Sequence, residues 1–245
     1  MSRDVRAFAA VFAGLFSGTS ATLLLDTPAK CWFVLALVIA FNIALPLTAR
    51  AVGRDDWFAM WALLLPVSIF QIVPDWILAD LIGTLRFPEI GGPRVDDAIH
   101  LAMGGMWVAP LFLALALTGA RPGRAAAAAF GIFFGSELLA PTLELWEPAG
   151  DPAELAGIAL YVLPAEAALG WAAAVAYGAT RPAERRNAAV HTAERRNVAA
   201  GATIFRRSAP WLRRIALAAA VSTFYTGALV VSHFLIDIAG WSITT

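Results

Sequence analysis

The chain has 245 residues, of which 60% are hydrophobic and 15% charged; its mean hydropathy is +0.70 and its formal net charge is zero. So much apolar surface exceeds what a soluble domain of this size can bury, so the composition predicts an integral membrane protein. The balanced charge indicates no polyanionic partner for the chain as a whole. Cys31 is the one cysteine, which excludes an intramolecular disulfide.

Seven apolar segments are long enough to cross a bilayer, since a hydrocarbon core about 30 Å thick needs roughly 20 apolar residues per helix. The sequence therefore predicts a single all-α domain over residues 1–245 with seven transmembrane helices. We expect the first helix to be retained, because its apolar run is longer than a usual signal core. The predicted helices cover about residues 5–25, 31–50, 56–82, 96–119, 125–147, 152–179 and 211–238.

Prolines indicate where these helices bend, because a proline frees a carbonyl one turn back. Pro66 and Pro74 interrupt the third predicted helix, which places Asp75 at a bend. The same reasoning predicts kinks at Pro141 in the fifth helix and at Pro164 in the sixth.

The basic residues predict the orientation, because cytoplasmic loops are enriched in Lys and Arg. Fifteen of them fall on one side of the predicted topology, nine of these between Arg181 and Arg214, whereas Lys30, Arg86 and Arg94 fall on the other. The amino terminus is therefore predicted to be cytoplasmic in a multi-pass protein of the cell membrane. A cysteine at position 92 should react with an external label, and one at position 190 should not.

A basic, alanine-rich linker at 180–210 contains a ten-residue repeat, in which residues 183–187 recur as 193–197. A cationic helix lying on the anionic cytoplasmic leaflet accounts for it, so membrane lipids are the expected partners. Nucleic-acid binding is the alternative, and it is disfavoured because no aromatic residues interleave with the arginines. The sequence leaves the oligomeric state open.

Acidic side chains lie inside the predicted helices, where a carboxylate needs a partner, water or a proton. Glu137 is ten residues from Glu147, which places it roughly 15 Å deep if the helix is continuous. Glu144, seven residues after Glu137, is expected on the same helix face, and Glu166 deeper again. Gly131 and Gly135 predict close packing of this helix in the bundle centre.

The stretch Gln71–Pro110 is expected to turn outside the membrane and re-enter it, so its ionisable groups lie at the hydrocarbon edge. We expect five groups to converge around an outward-opening cavity. The alternative is that they form interhelical hydrogen bonds that only fix the packing. The five are Asp75, His100, Glu144, His233 and Asp237.

One chemistry that suits these residues is protonation of an alkene or epoxide by a neutral buried acid, followed by carbocation cyclisation or isomerisation. Tryptophan faces would stabilise the cation, although an interfacial aromatic belt also explains tryptophans. No cofactor is expected. The candidate catalytic acids are Glu137, Asp75, Glu144, Glu166 and Asp237, and the candidate substrate-binding residues are Trp76, Trp107, Trp146, His100 and His233.

Two other functions remain open. A divalent metal bound by Asp96, His100, His233 and Asp237 would support hydrolysis or oxygen chemistry. With three histidines in the chain, the His-rich desaturase and hydroxylase clusters are excluded. A proton- or cation-coupled carrier is the other alternative, which the lack of a detectable inverted repeat disfavours.

The element Pro164-Ala165-Glu166, together with seven spans and intramembrane acids, resembles the small integral-membrane isoprenoid cyclases. These are the lycopene cyclase domain proteins, with their Pro-x-Glu motif, and the membrane terpene cyclases. The resemblance implies that Glu166 matches the motif glutamate and that the activity is that of a lyase or isomerase. The lycopene cyclase motif usually continues with a second acid, where this chain has Ala167.

Overall fold

The computed structural model describes residues 1–194 and 203–239, and this part of the chain is mostly helical, as predicted. Five segments are long and apolar enough to cross a membrane, which by length and composition indicates a membrane protein. They are Arg3–Leu24, Ala29–Ala51, Asp55–Ile82, Val162–Thr180 and Trp211–Ile238. A shorter apolar stretch, Met103–Thr118, adds to them.

The helices follow one another with short connections. Two π-helical turns, Ile77–Ile82 and Phe234–Ile238, continue α4 and α9. The α-helices are α1 (Arg3–Ala21), α2 (Ala29–Ala51), α3 (Asp55–Phe70), α4 (Ile72–Trp76), α5 (Met103–Met106), α6 (Val108–Thr118), α7 (Pro122–Leu139), α8 (Val162–Glu194) and α9 (Thr203–His233).

Six two-residue strands form three small antiparallel sheets at one end of the bundle, here called the hairpin end. The sheet of β1 and β4 ties the chain after α4 to the chain after α7. The strands are β1 (Leu85–Arg86), β2 (Arg94–Val95), β3 (Ile99–His100), β4 (Glu147–Pro148), β5 (Glu154–Leu155) and β6 (Ile158–Ala159), and they pair as β1–β4, β2–β3 and β5–β6.

These sheets occupy residues that the sequence predicted as helix. The predicted helix start at 96 is wrong, because Asp96 and Asp97 take positive φ in the turn between β2 and β3. The predicted start at 152 is wrong for the same reason, since the β5–β6 hairpin precedes α8. The sequence did not reveal these hairpins, because a short apolar run in a hairpin cannot be distinguished by its pattern from the end of an apolar helix.

Two of the prolines expected to kink helices lie at helix ends instead, whereas Pro66 lies inside α3. The helix α7 stops at Leu139, and Pro141, which has no N–H to donate, lies in the following turn instead of at a kink. Pro164 lies in the first turn of α8, where a proline is tolerated, so the predicted kink there is wrong as well. Glu137 is therefore in the last turn of α7, and the continuous helix to Glu147, from which its depth was predicted, is wrong.

The break between α3 and α4 falls at Gln71, and Pro74 lies in the short helix α4 that follows it, so the helix is interrupted here as the sequence predicted. A proline there leaves the carbonyl of Phe70, four residues earlier, without its helical donor. The hydroxyl of Ser222 on α9 donates to that oxygen at 3.0 Å, a replacement typical of membrane helices. The bend that places Asp75 is therefore held by α9.

The helix α8 packs closely against α7 through Gly170. A Cβ at Gly170 would lie 2.3 Å from the Cβ of Ala129 and 2.8 Å from the carbonyl oxygen of Ala125, so no other residue fits. The predicted contact through Gly131 and Gly135 is wrong, since a Cβ at either position would meet nothing within 4 Å. Small residues do place α7 in the bundle, through the neighbouring alanines.

Candidate active site

A small cavity lies under the sheets of the hairpin end and contains the buried acids; we call it the acid cavity. Its volume is about 20 Å³, and one water molecule needs roughly 10–15 Å³. It therefore holds a water molecule or a small group, and no lipophilic substrate. Its lining comprises Asp75, Leu78, Thr84, Leu85, Phe87, Met103, Trp107, Glu137, Trp146, Pro148, Ala159, Tyr161, Val162, Glu166 and Tyr225.

Three carboxyl groups, from α4, α7 and α8, face one another in this cavity. Asp75 is 2% exposed, Glu137 9% and Glu166 0%. Each interacts electrostatically with at least one of the others, and no Lys, Arg or His is among the residues that line the acid cavity. Three mutually repelling groups without a cation are stable in an apolar environment only if protons neutralise them.

Glu137 and Glu166 are in side-chain contact. A carboxylate has no donor, so this contact is a hydrogen bond only when one of the two acids holds a proton. With both ionised, neither oxygen of Glu166 has a hydrogen-bond partner among the described residues. The pair is therefore arranged to share a proton.

Glu137 also accepts a hydrogen bond from Trp146. Its indole N–H lies 3.1 Å from Oε1 and 3.0 Å from Oε2 of that carboxyl, so a single donor spans both oxygens. Trp146 comes from the irregular segment after α7, and Trp107, at the start of α6, lies against Asp75. Tryptophans from two elements thus border the acids.

The hairpin end closes the acid cavity through Tyr161 and Thr84. The hydroxyl of Tyr161 donates to Oγ1 of Thr84 at 2.9 Å. Burial raises the pKa of Tyr161 to about 12, so the phenol stays neutral and keeps this hydrogen bond at physiological pH. The contact ties the start of α8 to the chain that leaves α4.

A second and larger space, the apolar cleft, lies between α1 and α2 on one side and α6 and α7 on the other. Its volume is about 200 Å³, and no charged residue lines it. It shares Met103, Trp107 and Trp146 with the acid cavity, so these three side chains are the wall between the two spaces. An apolar binding space therefore adjoins the acids directly.

The comparison with known proteins identifies the family of this chain. A family model described as a domain of unknown function, DUF6989, matches residues 72–236, about two thirds of the chain. The chain belongs to the DUF6989 family. No curated protein and no solved structure matches it. The DUF6989 segment contains every residue that lines the acid cavity, whereas α1 and α2 precede it.

Two histidines of the DUF6989 segment lie outside the acid cavity. His100 is 3% exposed; its ring lies edge-on to Phe87, which lines that cavity, and its Nδ1 is 4.0 Å from Sγ of Cys31. Burial lowers the pKa of His100, and the positive charge of Arg94 lowers it further, so the imidazole is neutral. Its place is beside the site and not in it.

His233 forms a pair with Asp237 at the end of α9. Its Nδ1 lies 2.6 Å from Oδ2 of Asp237, whose other oxygen accepts the backbone N–H of Ala153. The ring of His233 stands edge-on to Tyr161 at 5.2 Å. The pair therefore packs from α9 against Tyr161, one of the residues that line the acid cavity.

The candidate metal ligands lie in three different settings. Oδ2 of Asp96 accepts a hydrogen bond from the indole N–H of Trp76 at 2.9 Å. Trp76 lines neither the acid cavity nor the apolar cleft. His100 is beside Cys31, and His233 is paired with Asp237. In residues 1–194 and 203–239 no three His, Cys, Asp or Glu side chains are arranged to hold a metal ion.

Glu144 is not among the residues that line either space, because it follows the end of α7 with a positive φ of 58°. The expectation that it shares a helix face with Glu137 is wrong. Its Oε2 instead accepts a hydrogen bond from Nζ of Lys30 at 2.5 Å. The Lys30 side chain is 9% exposed and that of Glu144 50%, so the pair joins α2 to this segment at the surface.

We expect Glu144→Gln to lower stability and to leave product formation near wild type. The change removes the charged partner of a nearly buried lysine, which should lower the free energy of unfolding by about 1–3 kcal/mol. Thermal unfolding in detergent measures this loss. The double variant Lys30→Met, Glu144→Gln should recover much of it, and a loss of activity without a loss of stability would place Glu144 in the chemistry instead.

Proposed function

We propose that the protein is a membrane enzyme that protonates a lipophilic isoprenoid or polyene substrate and directs the resulting carbocation to a cyclised or isomerised product. The supporting observation is the adjacency of the two spaces: a cluster of buried acids without a cation, separated from an apolar cleft by two tryptophans and a methionine. This chemistry needs an acid to protonate the double bond, an apolar space to hold the substrate, and aromatic faces to stabilise the carbocation.

In this proposal Glu137 is the proton donor. Its O–H bond breaks as a C–H bond forms at one carbon of the substrate's double bond, and the positive charge develops at the other carbon. The indoles of Trp107 and Trp146 stabilise that charge. A neighbouring C–H then returns its proton to the Glu137 carboxylate, and Glu166 exchanges protons with it, so nothing is consumed.

The direct test compares lipid extracts from cells that express the wild type with extracts from cells that express Glu137→Gln. A new isoprenoid species in the wild type alone supports the enzyme. An unchanged profile across isoprenoid-producing hosts contradicts it.

A proton carrier is the second candidate, because the same acids can take up and release protons without chemistry. The side-chain contact between Glu137 and Glu166 supports the carrier, because two acids in contact can bind and pass on a proton. Purified protein in liposomes with a pH-sensitive dye distinguishes the two: proton flux that needs both acids and no organic substrate supports the carrier.

The proposed topology has seven spans in the cell membrane, with the amino terminus in the cytoplasm and the hairpin end outside. The charge asymmetry of the sequence supports it. In this topology the linker 180–210 is cytoplasmic. The irregular residues 140–146 are tolerated at membrane depth because they border the apolar cleft.

We expect an external, membrane-impermeant maleimide to label Glu89→Cys and not Gly123→Cys, both in a Cys31→Ala background. The Glu89 side chain is 77% exposed at the hairpin end, and a Cβ at Gly123 has open space around it at the start of α7. Position 92 is unsuitable, because Gly92 has a φ of +78° and a Cβ there would lie 3.0 Å from the Cβ of residue 31, which Cys31→Ala retains. The reverse labelling pattern would refute the orientation.

A further inference from the structure

We propose that the apolar cleft binds the end of an isoprenoid chain that comes in sideways from the lipid phase, between α1 and α7, while the rest of the chain stays in the bilayer. This inference rests on the proposed function and adds to it a binding site for one part of the substrate and the route by which the substrate enters. It assigns a role to α1 and α2, which lie before the DUF6989 segment.

The cleft reaches the surface of the helix bundle. Phe16 on α1 and Leu139 on α7 both line it, and they are 60% and 57% exposed. In a membrane these exposed rims face lipid tails. A hydrocarbon chain can therefore pass from the bilayer into the cleft without crossing water or a polar barrier.

Two of the three hydroxyl groups in the cleft are already used in hydrogen bonds to the backbone. Three hydroxyl side chains line it, and those of Thr22 and Ser136 donate within their own helices, to the carbonyls of Thr19 at 2.6 Å and Ile132 at 3.1 Å. Donors used in this way are not directed at a ligand head group. The cleft is therefore suited to the hydrocarbon part of a ligand.

Its size fits the end of a chain. The cleft measures about 200 Å³, and a dry cavity of roughly 150 Å³ takes a benzene ring. One or two isoprene units thus fill it, and a longer chain must extend past Phe16 and Leu139 into the membrane. The inner end of the cleft is the wall of Met103, Trp107 and Trp146, with Glu137 on its far side.

The aromatic lining suits a polyene better than a saturated acyl chain. Phe12, Phe41 and Phe133 line the cleft in addition to the two tryptophans. Their faces attract positive charge, which an isoprenoid develops on protonation. A saturated acyl chain could occupy the same space but has no π bond to receive the proton.

The test is photolabelling of the full chain in phosphatidylcholine vesicles that contain a diazirine analogue of geranylgeraniol, with the labelled peptides located by mass spectrometry. We expect labels on the cleft-facing residues of α1 and α7, removed by excess geranylgeraniol. Ala109→Phe fills the cleft from α6 and should lower this labelling about tenfold. Ala36→Phe, on the exposed face of α2, is the matched control and should not change it.

If Ala109→Phe does not fold, Leu15→Trp narrows the cleft from the α1 side and should have the same effect. Even labelling over all lipid-facing helices, or equal and uncompeted labelling by a phosphatidylcholine with a diazirine at its acyl end, would overturn the proposal. Glu137→Gln should label like the wild type. Labelled cleft residues without any product in the wild type would retain the binding site and refute the proposed chemistry.

Discussion

Glu137→Gln should give a folded, normally inserted protein that forms about 10²–10⁴-fold less product, the range that a general acid contributes. The amide keeps the shape of the side chain and still accepts the indole N–H of Trp146, but it has no acidic proton to give. Product formation per molecule of membrane-inserted protein measures the effect.

Glu137→Leu is the informative comparison. If the acid only bridges Trp146 and Glu166, Glu137→Gln should stay active and Glu137→Leu should mainly lower the melting temperature in detergent. Full activity in Glu137→Gln refutes the acid role.

Glu166→Met should make the protein more stable and less active. Glu166 is fully buried beside two other acids, and its one side-chain partner among the described residues is Glu137, so an apolar side chain of similar volume removes the cost of burying a polar group there and we expect a gain of about 1–3 kcal/mol. Activity should fall about tenfold, because Glu137 loses the group that exchanges protons with it. Detergent melting and turnover of the same preparation measure both.

The control for this change is Glu166→Gln, which keeps a polar side chain but carries no exchangeable acid. It should be as inactive as Glu166→Met and no more stable than the wild type. A lower melting temperature for Glu166→Met would mean that Glu166 is a structural bridge, and unchanged turnover would remove it from the proton exchange.

The sequence predicted the helical fold and three of the buried acids because each rests on a strong local signal. Runs of apolar residues indicate spans, and Asp75, Glu137 and Glu166 stand out within them as costly groups. Asp75 was also placed at its bend by Pro74. These inferences need no knowledge of how the helices pack.

The sequence did not predict which residues meet, because that depends on where the helices end. Periodicity placed Glu144 on the face of Glu137, whereas α7 stops at Leu139 and the chain turns toward Lys30. Asp96 and His100 were read as one helix turn and lie in a hairpin. The signals that were available were Pro141 for the helix end and the paired glycines before β2 for the turn.

Tyr161 and Tyr225 were missed as site residues, although both line the acid cavity. A tyrosine in an apolar segment has no feature in sequence that separates a site wall from a core position. A tyrosine just before Pro164-Ala165-Glu166 was the available hint, since residues close in sequence to a buried acid often border it.

The small sheets of the hairpin end determine how a reaction started by the Glu137 proton would terminate. The β1–β4 pair, Pro148 and the Tyr161–Thr84 hydrogen bond cover the acid cavity at the hairpin end, and the apolar cleft adjoins it at Met103, Trp107 and Trp146. A carbocation formed in the apolar cleft, against the wall of Met103, Trp107 and Trp146, meets at most the one water that the acid cavity holds, so hydration to an alcohol is suppressed and loss of a proton to the Glu137 carboxylate prevails. The expected products are therefore olefins, and loosening this lid by Thr84→Ala should increase the share of alcohols.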